Sequence, residues 1–147
     1  MTDGGIGVSV EADAHPERVF AVLTDWPRHR EWMVLTRARV TGGDGRSAGS
    51  RLAAFTGIGR LGFLDTMEIT EWDPPRTVAV RHTGGLVRGT GVFRVLPRDG
   101  GGSTIVWEEK LDLPLGAAGR LGWALLRPLN AVLFRLSLRR LAALSRR

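Results

Sequence analysis

Between Val34 and Leu113 apolar and polar positions mostly alternate with a period of two, and clusters of Gly, Asp and Pro interrupt the alternation. Successive side chains on a strand point to opposite faces, so the pattern predicts half-buried strands rather than helices. Six strands follow, at about 34–41, 50–56, 61–72, 77–82, 86–96 and 103–113. The turns between them are Gly42-Gly43-Asp44-Gly45, Gly57-Ile58-Gly59, Asp73-Pro74-Pro75-Arg76, Thr83-Gly84-Gly85 and Arg98-Asp99-Gly100-Gly101-Gly102. Gly and Asp tolerate tight-hairpin backbone angles, and Pro stays out of a sheet interior. Connections this short favour antiparallel pairing, because a parallel pair needs a crossover of about a dozen residues. A further strand opens the chain, where Ile6, Val8 and Val10 alternate with Gly7, Ser9 and Glu11.

Two segments carry a helical signal. Asp13 followed by Pro16 and Glu17 is a helix start with an acid at the positive end of the dipole, and Val19, Phe20, Val22 and Leu23 form its apolar stripe. Asp25-Trp26-Pro27 interrupts it and permits a second short helix through Trp32. Leu113-Pro114-Leu115-Gly116 closes the strand region, and from about Ala118 Leu and Ala dominate without alternation. Pro128 predicts a break or kink near Leu126–Arg127, leaving a main helix from about Pro128 to Leu144.

The predicted order is β-α-α-β6-α. One sheet face needs a cover, and only the last helix is long enough to provide it. The fold class is therefore α+β, a helix-grip arrangement of about seven antiparallel strands curved around a C-terminal helix, with a cavity between them. At 147 residues the chain fits a single domain spanning 1–147.

Composition narrows the function classes. The chain has no Cys, which excludes disulfides, thiolate metal sites and cysteine nucleophiles and fits a cytoplasmic location. Its start lacks a basic segment followed by an apolar one, so no signal peptide is read, and no uncharged apolar run approaches ~18 residues. The formal net charge is +6, yet all of the excess lies at one end. Residues 113–147 contain seven Arg and no acid. No nucleic-acid-binding motif accompanies this charge, so nucleic acid is not an expected partner.

Two matches to known motifs are loop geometry. Gly45-Arg46-Ser47-Ala48-Gly49 fits a nucleophile elbow, and Gly57-Ile58-Gly59-Arg60-Leu61-Gly62 fits a dinucleotide fingerprint. Both need a following helix, and here strands follow. His15, His29 and His82 show no metal-ligand spacing; His15 and His29 are expected at exposed helix positions, and no metal or cofactor is expected.

The informative polar residues are Asp65, Glu109 and His82. Asp65 shares a strand face with Phe63, Met67 and Ile69, and Glu109 shares one with Ile105, Trp107 and Leu111. Both acids therefore face the final helix, and His82 does too if Val78 and Val80 do. A buried carboxylate needs a partner or a wet cavity. One reading makes these three the polar end of a ligand cavity with acid–base capacity. The other pairs the acids structurally with an Arg, such as Arg81 or one from the last helix, or leaves them exposed at strand ends. For His82, which ends its strand, it is a solvated strand-end histidine, the reading that its position favours. Phe55, Phe63, Met67, Phe93, Trp107 and Trp123 are the large apolar residues assigned to the cavity, which is expected near the N-terminal half of the helix. At ~100° per residue Arg127, Arg135 and Arg139 share a broad helix face, and Asn130 falls off it, toward the cavity.

Several stretches together resemble the START-like superfamily, closest to its polyketide cyclase/dehydrase-type branch. They are Ala14-His15-Pro16-Glu17-Arg18-Val19-Phe20, Leu23-Thr24-Asp25-Trp26 through Glu31-Trp32, Asp73-Pro74-Pro75, Gly89-Thr90-Gly91-Val92-Phe93 and Gly101-Gly102-Ser103-Thr104-Ile105-Val106-Trp107. The resemblance implies the helix-grip fold and a cavity for a lipid, polyketide, sterol or quinone-like molecule. It carries no shared catalytic constellation. The leading expectation is a monomeric or dimeric binding protein for a small hydrophobic molecule. The alternatives are an aromatase/cyclase-like enzyme using Asp65, Glu109 or His82, and a lipid carrier that touches anionic membranes through its Arg-rich helix.

Overall fold

The computed structural model describes residues 4–113 and 115–146. Residues 1–3, Pro114 and Arg147, which the sequence reading included in the domain, the closing turn and the basic helix, lie outside the described residues.

The elements follow the order β1 (Gly4–Ala12), α1 (Pro16–Leu23), a 3-10 helix (Trp26–Glu31), β2 (Thr36–Gly42), β3 (Arg51–Ile58), β4 (Leu61–Asp73), β5 (Thr77–Thr83), β6 (Arg88–Pro97), β7 (Ser103–Leu111) and α2 (Gly116–Ser145). All seven strands form one antiparallel sheet in the order β1-β7-β6-β5-β4-β3-β2. The helices between β1 and β2 carry the chain from one edge to the other, and every later strand pairs with its predecessor. Irregularities between Val40 and Gly42 and between Ile69 and Glu71 add local bend, as bulges do.

Alternation decides what lies on each face. On β2, Arg37 and Arg39 are exposed on one side, while Thr36 is buried on the other. On β7, Ser103, Ile105, Trp107 and Glu109 point inward while Glu108 and Lys110 face solvent. The core gathers Val19, Leu23 and Trp32 from the two short helices and the residue after them, Leu52, Ile69, Val78, Val95 and Ile105 from the sheet, and Leu138 and Leu141 from α2. Ser137 accepts a hydrogen bond from the Val34 amide at 3.0 Å and so fixes α2 to the entry of β2.

α2 corrects the sequence reading: it runs unbroken through Pro128. Pro128 and Ala124, whose carbonyl loses its helical donor, are both exposed. Water can serve that carbonyl there, so the missing bond does not force the helix to end. The two halves of α2 differ. Its buried residues, Ser137, Leu138, Leu141, Ala142 and Ser145, all belong to the C-terminal half.

Candidate functional site

A cavity of about 240 Å³ lies between the concave face of the sheet and α2. Its walls are mostly apolar: Leu52, Met67, Val78, Val80 and Phe93 from the sheet, Leu133 and Phe134 from the helix, and Trp26 and Met33 from the segment before β2. One side is an aromatic stack. The Phe93 and Trp107 rings lie 4.8 Å apart, and Trp107 lies parallel to Phe134 at 3.7 Å. This stack spans from sheet to helix, and all three residues line the cavity.

The structure brings Asp65, His82 and Glu109 together on this wall, and His82 is buried there between the two carboxylates rather than solvated at its strand end. The Nδ1 of His82 lies 2.9 Å from Asp65 Oδ1, and its Nε2 lies 2.9 Å from Glu109 Oε1. The three come from β4, β5 and β7, so Glu109 must reach over β6. Gly91, directly opposite Glu109 in the β6–β7 register, makes that possible. A Cβ at Gly91 would overlap the Glu109 carboxylate. The acids therefore find their partner in His82 and not in Arg81, which pairs with Glu68 on the outer face.

The electrostatics follow from this enclosure. Burial by itself lowers the His82 pKa, but hydrogen bonds to Asp65 and Glu109, with their charges, reverse the effect and raise it to about 10. The imidazole is thus protonated at neutral pH and both its N–H groups donate to carboxylates. Burial pushes the Glu109 carboxyl above its usual range, against the opposing pull of His82. One oxygen of each carboxylate lies outside its bond to His82.

Of the other expected residues, Phe63, Met67, Phe93, Trp107 and Asn130 line the cavity, and Phe55 and Trp123 do not. Phe55 lies one residue out of phase with Leu52, Ala54 and Thr56, so it faces the outer side, where the Arg37 guanidinium sits 5.1 Å over its ring. Alternation within β3 carries that information. Trp123 belongs to the N-terminal half of α2, which runs along β1, where Arg127 donates to the Gly5 carbonyl at 2.9 Å. The cavity lies instead under the middle turns, from Asn130 to Ser137, and not near the N-terminal half of the helix.

His29 is a correction in the other direction. It is buried rather than exposed, wedged between Trp26 and Trp32 with ring centroids 5.0 and 4.6 Å away, and it lines the cavity. Burial lowers its pKa to about 3, so it is a neutral imidazole. Its Nδ1 has no hydrogen-bond partner among the described residues. The flanking tryptophans were the sequence signal for this burial. Thr36, Thr56 and Ser137 also line the cavity and were missed. Thr36 was legible from its phase, opposite to that of Arg37 and Arg39.

The two discounted motifs are loops. Asp44 accepts from the Arg46 amide at 2.8 Å and from the Ser47 hydroxyl at 2.9 Å, so Ser47 serves a turn. Gly57 to Gly62 forms the tip of the β3–β4 hairpin. Among the described residues no group of three or more His, Cys, Asp or Glu is arranged to hold a metal, and no helix is long and apolar enough to cross a membrane.

The family described as polyketide cyclase / dehydrase and lipid transport matches residues 5–146. Among solved structures, a protein of Thermus thermophilus superposes with a TM-score of 0.80 at 19% identity, over 96% of both chains. The Zhui aromatase/cyclase of a Streptomyces species gives 0.73 at 19% identity, over 97% of this chain and 93% of that one. A di-domain aromatase/cyclase of the steffimycin biosynthetic pathway, StfQ, gives 0.72 at 11% identity, over 97% of this chain and 50% of that one. At these identities the likeness establishes the fold. No curated protein matches the chain in sequence.

Proposed function

Because the chain belongs to the polyketide cyclase/dehydrase and lipid transport family, we propose that it binds a compact hydrophobic molecule bearing hydroxyl or similar donor groups in the cavity beneath α2. The observation that carries this reading is a charged cluster, Asp65–His82–Glu109, set in the wall of an otherwise apolar space. An apolar pocket with a few placed polar groups is the usual design of a small-molecule site. The volume of about 240 Å³ lies just below the ~300–1,000 Å³ range typical of such pockets and favours one compact molecule over a two-tailed lipid. Phe93, Trp107 and Phe134, which all line this space, give it aromatic contacts suited to fused rings. The carboxylates supply acceptors for a ligand hydroxyl, and neutral His29 supplies a further polar contact from the 3-10 helix.

The test compares 2,6-dihydroxyanthraquinone, whose hydroxyls are free of internal hydrogen bonds to the quinone carbonyls, with anthraquinone, followed by tryptophan fluorescence. The hydroxylated compound should bind at least about tenfold more tightly, as a hydrogen bond to a charged group is worth ~1.5–3 kcal/mol. Asp65→Asn combined with Glu109→Gln should remove the preference. Equal affinities, or no binding by either compound and no apolar molecule carried through purification on native mass spectrometry, would overturn the reading.

A second reading is favoured by one observation, the buried Glu109 whose carboxyl is pushed upward beside an imidazolium. A carboxylate in that setting can take a proton from carbon between two carbonyls, and the positive charge of His82, whose N–H groups are both held by carboxylates, offsets the negative charge that develops on the enolate. This is the chemistry that opens an aldol ring closure of a poly-β-ketone. Turnover of a linear poly-β-ketone that Glu109→Gln abolishes, with folding intact, supports this reading; no turnover by the unaltered protein sinks it.

A further inference from the structure

The outer face of α2 is apolar where a solvent-facing helix is ordinarily polar. Leu121, Leu125, Leu129, Val132 and Leu136 recur at spacings of three and four, which at ~100° per residue places them within an arc of about 80°. All are exposed, from 39% at Leu136 to 73% at Leu125. This stripe lies opposite the helix face that carries Asn130, Phe134, Ser137 and Leu141 into the cavity and core. Its length from residue 121 to 136 is about 22 Å. Monomeric proteins rarely leave a continuous apolar surface of this extent uncovered, so it marks an interface.

The charge around the stripe identifies what covers it. Arg135 and Arg139 stand at one border and Arg140 at the other, and all three are exposed. No acid occurs after Asp112. A second copy docked through the same stripe would bring a helix with the same Arg excess and no acid against this one, which like-charge repulsion opposes. A surface with an apolar interior and anionic groups at its boundary satisfies both features. We propose that α2 lies flat on an anionic lipid bilayer, with the leucine stripe in the headgroup–acyl boundary and the flanking arginines on lipid phosphates. Docked this way, α2 is the wall between the bilayer and the cavity. The inference rests on this face alone and is independent of what the cavity binds.

The experiment sediments the full chain with vesicles of phosphatidylcholine and with vesicles that also contain phosphatidylglycerol, at low and at high salt. The protein should pellet with the anionic vesicles at low salt and be released at high salt. Leu125→Ser combined with Leu129→Ser should weaken that binding at least about tenfold. Both residues are exposed, so circular dichroism should be unchanged. Arg135→Gln with Arg139→Gln should reduce the preference for phosphatidylglycerol. Equal pelleting with both vesicle types, no pelleting with either, or a concentration-dependent dimer on analytical ultracentrifugation that the leucine variant dissolves, would each overturn the proposal.

Discussion

Gly91 on β6 stands directly opposite Glu109 on β7, and the space left by its missing side chain is occupied by the Glu109 carboxylate on its way to His82. A glycine in a strand interior costs conformational entropy and packs nothing. Here it lets a side chain cross one strand to reach the next but one.

Gly91→Ala should therefore displace Glu109 and break its bond to His82. The imidazole would lose one of the two carboxylates that hold its pKa near 10, and the value should fall toward the ordinary 6.5. Overpacking of this kind costs about 1–3 kcal/mol. Histidine NMR titration and urea unfolding of the variant would check both effects; an unmoved His82 titration would refute the arrangement.

His82 and His29 should give opposite limbs to a pH–stability profile. The His82 pKa rises from 6.5 to about 10 on folding, so its contribution is complete below pH 6.5 and is lost as pH climbs through 10. The His29 pKa falls from 6.5 to about 3, so the unfolded state takes up a proton first on acidification, and stability is lost as pH falls from 6.5 toward 3. Urea midpoints measured across pH should show His29→Phe flattening the acid limb and His82→Gln flattening the alkaline one. The reverse assignment would contradict the two environments.

The two halves of α2 should respond differently to truncation. Leu138 is fully buried, and Leu138→Ala should cost about 2–5 kcal/mol. Leu125 is 73% exposed, and Leu125→Ala should change stability by about 0.5 kcal/mol or less. Chemical denaturation of the two variants distinguishes these outcomes directly.

Pro128 sits in an exposed turn of a helix that does not break. Pro is ~3 kcal/mol worse than Ala within a helix, so Pro128→Ala should raise stability by about 1–3 kcal/mol. It lies outside the cavity lining, so affinity for a bound hydroxyanthraquinone should not change. A destabilised variant would show that Pro128 has a packing role.

What the sequence alone determined was local. Period-two alternation, Gly and Pro turns and one long Leu–Ala segment are readable residue by residue, and they specify seven antiparallel strands and a covering helix. The inward phase of Asp65 and Glu109 is readable in the same way, because strand side chains alternate strictly between faces. His82, at the end of its strand, reads as solvated, and only the two carboxylates around it account for its burial. The tertiary structure decided what those phases meet. Which acid meets which base depends on strand register, on how far side chains reach across the sheet and on a gap at Gly91. None of these leaves a local periodic trace. The sequence places His29 at an exposed position because a residue on a short 3-10 helix has no alternation to reveal its side, and only the packing of Trp26 and Trp32 encloses it. Trp123 lies outside the cavity to which the sequence assigns it, because the sequence shows that a helix covers the sheet but not over which turns it stands clear of it. Pro128 predicts a break because the backbone rule is local, whereas the tolerance comes from solvent beside that turn.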